Sequence, residues 1–178
     1  DGRKLITSAN GEKLTDAQRS ELMGYVAIIS ENWQKVIAES VFKYAGSTYK
    51  SLVALEDVNN DDLAKEFSKY MKYWGELKGF SMALQVGKDN IGESATKLNR
   101  MIGFGPMLMD ETQIIGIDSK GNYIMDKIYS MNDAKLHMLK IQKLMIDEFG
   151  VEARSNDMLA DMADLASKIG TSESAEND

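Results

Sequence analysis

The chain contains a single proline, Pro106, among its 178 residues. Proline interrupts a helix interior because it lacks an amide hydrogen and its ring clashes with the preceding turn. Leucine, methionine, isoleucine and alanine provide most of the apolar residues, whereas aromatic residues make up only 8% of the chain, which favours helices over strands. The sequence therefore predicts an all-α fold, an antiparallel helical bundle of four to five helices with a small β-hairpin insertion.

Length and charge define the class of protein. A chain of 178 residues with 43% hydrophobic content can bury one core, and we expect a lead-in segment at 1–14, a bundle domain at 15–170 and a disordered tail at 171–178. The net charge of -7, without a cluster of more than two neighbouring Lys or Arg residues, excludes a nucleic-acid partner. No apolar run is long enough for a membrane span or a signal peptide in this chain.

The first predicted helix begins at Thr15, which forms a capping box with Gln18. Apolar residues then recur at alternating steps of four and three, the spacing that turns one face of a helix towards a partner. These positions are Leu22, Val26, Ile29, Trp33, Val36 or Ile37, Ser40 and Tyr44. We expect Gly46 and Ser47 to end or kink this helix.

The second predicted helix follows an acidic segment at 56–62 and repeats the same spacing. Its stripe consists of Leu63, Phe67, Tyr70, Trp74, Leu77, Ser81 and Leu84, and Val86-Gly87 is expected to end it. Two matching stripes joined by a short connection predict an antiparallel pair. Gly75 and Gly79 each disfavour a helix interior by about 1 kcal/mol, so we interpret them as the point of a tight helix crossing.

The second half of the chain alternates short elements. A helix is predicted at 92–102, followed by the Gly103-Phe104-Gly105-Pro106 break. Two β-branched segments at 113–118 and 123–125 predict a hairpin, which would have to lie on the helices because an isolated hairpin is marginal in water. Helices are then predicted at 131–149, capped by Gly150, and from Ser155-Asn156-Asp157 to Gly170.

The reactive side chains in the sequence do not form a recognisable set of catalytic residues. There is no cysteine, and the lone His137 has lysine and methionine neighbours, which favours a surface or partly buried helix residue over a general base. Asp57, Asn59 and Asp61 imitate the start of a calcium loop, but Asp62 and Ser68 occupy the positions that need Gly and Glu. Asp157, Asp161 and Asp164 fit a solvated acidic face. Met138, Met145, Met158 and Met162 fit a core or an interface. We therefore predict no cofactor, no metal site and no enzymatic activity.

Glu76 and Lys78 remain without a structural explanation at this level. Each lies one position away from the apolar stripe of the second helix, between Gly75 and Gly79 of the predicted crossing, where it could be a buried hydrogen-bonding group or part of a small cleft. Together with Trp74 and Phe80 they form the candidate surface for a small ligand or a protein partner.

Several segments of the sequence resemble the C-terminal half of the imelysin-like proteins of the bacterial cell envelope. The resemblance covers residues 15–154 and is carried by Trp33-Gln34-Lys35-Val36-Ile37-Ala38, Tyr44, the segment from Trp74 to Gln85, and Gly103-Phe104-Gly105-Pro106. Its most specific element is Trp-x-Glu-x-Lys-x-Phe, and its best match is the lipoprotein branch of unknown function.

This resemblance implies a helical bundle in the periplasm or associated with the outer membrane, and a link to iron uptake. It also implies that an N-terminal half with a signal and a lipid anchor precedes this chain. The Gly-x-His-x-x-Glu motif of the imelysins is not matched at His137, where Lys135 and Lys140 stand in place of Gly and Glu. Two alternatives stay open: a metal-dependent hydrolase of imelysin type, and a structural module whose Met-rich last helices form an oligomer interface. The sequence fixes neither the ligand nor the oligomeric state.

Overall fold

The computed structural model describes residues 1–86, 91–152 and 155–169, apart from the side chains of residues 168 and 169. The elements are α1 (Gly2–Ser8), α2 (Asp16–Glu56), α3 (Leu63–Gln85), α4 (Glu93–Ile102), β1 (Gln113–Ile117), β2 (Tyr123–Asp126), α5 (Met131–Phe149), a 3₁₀ turn (Leu159–Asp161) and α6 (Met162–Ile169). This arrangement confirms the predicted helical bundle with a small hairpin. The predicted ends at Gly87 and Gly170 and the predicted tail lie outside the described residues.

Helix α2 begins at the predicted capping box, in which the amide of Gln18 donates to the Thr15 hydroxyl at 3.3 Å. The helix then runs for 41 residues to Glu56, so the predicted end at Gly46-Ser47 is wrong. Gly46 is buried, and a Cβ at this position would collide with the backbone oxygen of Asn156 and lie 2.7 Å from Nε2 of Gln142. The glycine therefore serves close packing and does not end the helix.

Helix α3 follows a turn in which the side-chain oxygen of Asn59 accepts hydrogen bonds from the amides of Asp61 and Asp62. Its predicted apolar stripe is confirmed, because Tyr70, Leu77, Ser81 and Leu84 are buried and Leu63, Phe67 and Trp74 pack at the edge of the core.

The predicted tight crossing at Gly75 and Gly79 is wrong. Both glycines are exposed, and no atom lies within 4 Å of the position that a Cβ would occupy at either residue. Gly75 and Gly79 each lie two positions from Leu77, and such neighbours point to opposite sides of a helix. The side of α3 that carries the two glycines therefore faces solvent.

The hairpin forms as predicted, with Gln113 opposite Asp126 and a register shift between Ile114 and Gly116. All four residues of β2 are exposed, and neither strand contacts a described helix, so the prediction that the hairpin lies on the helices is wrong. The hairpin is held at its base instead, where Gln113 is buried and its backbone bridges to Met107.

Helix α5 lies in the centre of the bundle and packs against α2, α4 and α6. It starts at a capping box between Ser130 and Asp133 and ends at Gly150, which is the predicted cap and adopts the left-handed conformation. Met138 and Met145 are buried in the core of this chain. Among the described helices, none has a stretch long and apolar enough to cross a membrane.

Candidate functional site

Two of the four predicted site residues bind the end of α4. The indole nitrogen of Trp74 donates to the carbonyl oxygen of Ile102 at 3.1 Å, and the ammonium of Lys78 donates to the carbonyl oxygen of Gly103 at 2.5 Å. The last carbonyls of a helix have no partner within the helix and form the negative end of its dipole. Trp74 and Lys78 therefore cap the C-terminus of α4 with an uncharged and a positively charged donor.

The environment of Lys78 is partly buried, and this burial lowers the pKa of its ammonium below the usual range. The carbonyl that it binds belongs to Gly103, whose φ of 80° is strained for any other residue type. The contact between Lys78 and Gly103 therefore joins a partly desolvated ammonium to a backbone conformation that favours glycine.

Tyr70 extends the same face of α3. Its hydroxyl accepts a hydrogen bond from the backbone amide of Met107 at 2.9 Å. Tyr70, Trp74 and Lys78 are spaced at i, i+4 and i+8, and all three bind the segment 102–107 that follows α4. Sequence reasoning placed Tyr70 and Trp74 on a buried stripe but missed their polar role, although the regular spacing of three polar-tipped side chains was the available signal.

Glu76 and Phe80 face α2 instead. The ring of Phe80 stacks on Tyr44 with a centroid distance of 5.4 Å. The Tyr44 hydroxyl is hydrogen-bonded to the Glu76 carboxylate, which raises the pKa of Tyr44, and Lys72 lies 4.0 Å from Glu76. The structure therefore divides the four predicted residues into two pairs, one at α4 and one at α2.

Gln113 is a residue that the sequence analysis did not select. Its side chain is fully buried, and neither its amide nitrogen nor its amide oxygen has a hydrogen-bond partner in the described part of the chain. The amide oxygen lies 3.0 Å from the position of a Cβ on Gly103, and the hydroxyl of Tyr129 lies 3.4 Å from the same position. Gln113 thus contributes a polar group to the interior beside the segment that Lys78 binds.

His137 lies nearby and is only 3% exposed, so the prediction of a surface or partly buried residue is wrong. Its ring meets that of Tyr129 edge-on, with a centroid distance of 4.8 Å. Over residues 1–86, 91–152 and 155–169, no three His, Asp or Glu side chains are grouped so that they could hold a metal ion.

The first half of α2 is not packed into the bundle. We call α1 together with residues 16–36 of α2 the arm. No residue of α2 before Ala38 is buried. The exposed large apolar residues of the arm are Ile6, Met23, Val26, Ile28, Ile29, Trp33 and Val36.

The predicted contact between this stripe and α3 is therefore wrong for the arm and holds further along, where Tyr44 meets Phe80 and Tyr73. The physical reason is the difference in length between α2 and α3. Helix α3 has 23 residues and α2 has 41, so α3 covers only the second half of its neighbour.

Within the arm, α1 covers one end of the stripe. A Cβ on Gly2 would lie 3.5 Å from both Leu22 and Tyr25, so the two helices are in close contact there. A groove of about 560 Å³ runs between α1 and α2 and is lined mainly by apolar side chains, including Ile6, Val26 and Ile29. The arm thus presents an apolar surface that its own short helix only partly covers.

The segments that carry the imelysin-like resemblance now have structural roles. Trp74 and Lys78 hold the segment containing Gly103 and Pro106, and Trp33 lies exposed on the arm. Comparison of the chain with known protein families, with curated proteins and with solved structures finds no match to any of them.

Proposed function

We propose that this chain is a non-enzymatic helical domain that binds a partner protein through the apolar surface of the arm. The observation that carries the proposal is the exposure of Ile29 and Trp33, at 66% and 67%, on a stripe with the spacing of a helix interface. Large contiguous apolar patches are rare on the free surface of a protein and mark interaction sites.

The four residues first selected from the sequence support this choice of surface. Trp74 and Lys78 donate hydrogen bonds to the end of α4, Phe80 stacks on Tyr44, and Glu76 interacts with Tyr44 and Lys72. These side chains stabilise the bundle from within. Helix α1 contacts the stripe of the arm only at its Leu22 end, and a partner helix would cover the remaining part around Ile29 and Trp33.

The location of the domain is part of the proposal. The imelysin-like resemblance supports the periplasm or the outer membrane, where a helical domain meets other envelope proteins. A partner there would need an apolar helical surface of similar length to the arm, because the stripe contains few hydrogen-bonding groups.

Site-specific photo-crosslinking in cells that produce the chain tests the proposal. A photoreactive amino acid is placed at Ile29, on the stripe, or at Glu31, which is exposed and lies on the opposite side of the same helix. We expect protein adducts from position 29 and far fewer from position 31. Equal yields at the two positions, or no adduct at position 29, would overturn the proposal.

A further inference from the structure

The stripe on the arm has the spacing of a two-stranded coiled coil. Leu22, Val26, Ile29, Trp33 and Val36 are separated by four, three, four and three residues, which is two apolar positions in every seven. A seam with a period of 3.5 residues suits packing against one other helix.

The positions beside the seam are uncharged. In a coiled coil, the residues that flank the seam select the partner through charge, and like charges there exclude self-pairing. On the arm the central flanking positions are Met23 and Ser30 on one side and, on the other, Asn32 and Tyr25, of which Tyr25 also contacts α1. An identical helix would therefore meet no like-charge repulsion along the centre of this seam.

We propose that the occupant of the seam is a second copy of this chain, whose arm pairs antiparallel with the first about a two-fold axis. This inference rests on the proposed function and names the partner. A two-fold axis buries the same stripe on both copies and closes the assembly as a dimer.

The antiparallel direction follows from shape and charge. The bundle begins where the arm ends, so antiparallel pairing places the two bundles at opposite ends and avoids a collision. It also brings Arg19, at the start of one stripe, near Glu39, at the end of the other. Parallel pairing would instead place Arg19 beside Arg19.

A lipid surface is a poorer occupant because the arm lacks a basic cluster. Interfacial helices that bind anionic membranes are rich in Lys and Arg on their polar face. Residues 1–36 contain five basic and five acidic residues, namely Arg3, Lys4, Lys13, Arg19 and Lys35 against Asp1, Glu12, Asp16, Glu21 and Glu31. The chain as a whole carries a net charge of -7, which would be repelled by an anionic bilayer.

The size of the seam sets the expected affinity. A helical stretch of the length of residues 16–36 is about 30 Å long, which is short for a stable coiled coil. Interfaces below the standard size are typically weak, so we expect dissociation in the micromolar range. The dimer would then be visible only when the protein concentration is varied over that range.

Sedimentation equilibrium of the purified 178-residue chain, from about 1 µM to about 200 µM, tests the inference. We expect a monomer–dimer equilibrium that is weakened at least tenfold in Ile29→Glu. The matched control is Ala27→Glu, because Ala27 is exposed, lies two positions from Ile29 and is not among the residues that line the groove between α1 and α2. Both positions are exposed, so unchanged circular dichroism would show that the variants fold.

The direction of pairing has its own test, since the chain has no cysteine. Arg19→Cys mixed with Glu39→Cys should crosslink through a short bismaleimide, whereas Arg19→Cys alone should crosslink weakly. Strong crosslinking of Arg19→Cys to itself would overturn the antiparallel arrangement.

A chain that stays monomeric at every concentration, or equal effects of the two glutamate substitutions, would overturn self-pairing. If the chain is monomeric but position 29 still forms adducts in cells, self-pairing fails and the proposed partner binding stands. If both results are negative, both proposals fail.

Discussion

The ammonium of Lys78 lies 2.5 Å from the carbonyl oxygen of Gly103, and this contact ties the middle of α3 to the end of α4. Trp74 makes a parallel contact one turn earlier, at 3.1 Å from the carbonyl oxygen of Ile102. Trp74 and Lys78 on α3 thus satisfy the last carbonyl groups of α4, which in other helices are satisfied by a cap that is local in sequence. Lys78, which the sequence analysis selected as part of a candidate surface, thus makes a contact within the fold.

Replacing Lys78 by methionine should remove this cap while keeping most of the side-chain volume. We expect the free energy of unfolding to fall by about 1–2 kcal/mol, because the carbonyl of Gly103 loses its charged donor. Urea denaturation followed by circular dichroism measures the change. Lys72→Met is the matched control on the same helix, since its side chain is 67% exposed, and it should change stability by less than about 0.5 kcal/mol. Equal losses in the two variants would contradict the capping role.

Gly46 and Gly79 should respond in opposite directions to substitution by alanine. A Cβ at Gly46 would collide with the backbone of Asn156, so Gly46→Ala should lower the free energy of unfolding by about 1–3 kcal/mol. Gly79 is exposed with open space around it, so Gly79→Ala should raise stability by up to about 1 kcal/mol through helix propensity. Thermal denaturation of the two variants measures both. Stabilisation by Gly46→Ala would show that the segment around Asn156 is not packed on α2.

The glycines and the stripe show what the sequence could predict. The capping box at Thr15, the stripe on α3 and the cap at Gly150 depend on residues close together in the chain, and the structure confirms all three. The need for glycine at Gly46 depends on Asn156, which is 110 positions away, so no local pattern could reveal it. The exposure of the arm depends on the unequal lengths of α2 and α3.

The candidate site was predicted in part. The sequence correctly singled out Lys78 as a polar residue that needs an explanation, but its partner is a backbone carbonyl, which has no signature in the sequence. Gln113 could not be found, because glutamine at the start of a strand is usually solvated and only the fold buries it. The imelysin-like family, the envelope location and the absence of enzymatic activity remain predictions.

Lys135 and Glu56 form a partly buried ion pair, and substitutions of the two partners should reduce stability by different amounts. Their charged atoms lie 2.6 Å apart, with 7% of the lysine side chain and 41% of the glutamate side chain exposed. Glu56→Gln leaves a buried ammonium without its counter-charge, and we expect it to cost about 1–3 kcal/mol. Lys135→Met removes the buried charge itself and should cost about 1 kcal/mol or less, because an apolar group suits that environment. Guanidinium denaturation compares them, and a larger loss in Lys135→Met would contradict this account.

Stability should fall at alkaline pH because of two buried phenols. Burial raises the pKa of Tyr49 to about 12, with a further contribution from its hydrogen bond to Asp161, and burial also raises the pKa of Tyr70. In the unfolded chain both phenols titrate near their ordinary value of about 10. Above that pH the folded state holds protons that the unfolded state has released, so the stabilisation is complete below about pH 10 and is lost as the pH rises towards 12.

Replacing Tyr49 by phenylalanine should remove its share of this pH dependence. At about pH 9 the variant should be somewhat less stable than the parent, because it lacks the hydrogen bond that the Tyr49 hydroxyl donates to Asp161 at 3.0 Å. Between about pH 10 and pH 12, however, its free energy of unfolding should fall less steeply than that of the parent, because one proton fewer is linked to unfolding. Urea denaturation at a series of alkaline pH values measures the slope. Tyr123→Phe, at a position that is 67% exposed, is the control and should keep the slope of the parent. A slope in Tyr49→Phe equal to that of the parent would mean that the buried hydroxyl of Tyr49 does not govern the alkaline stability of the fold.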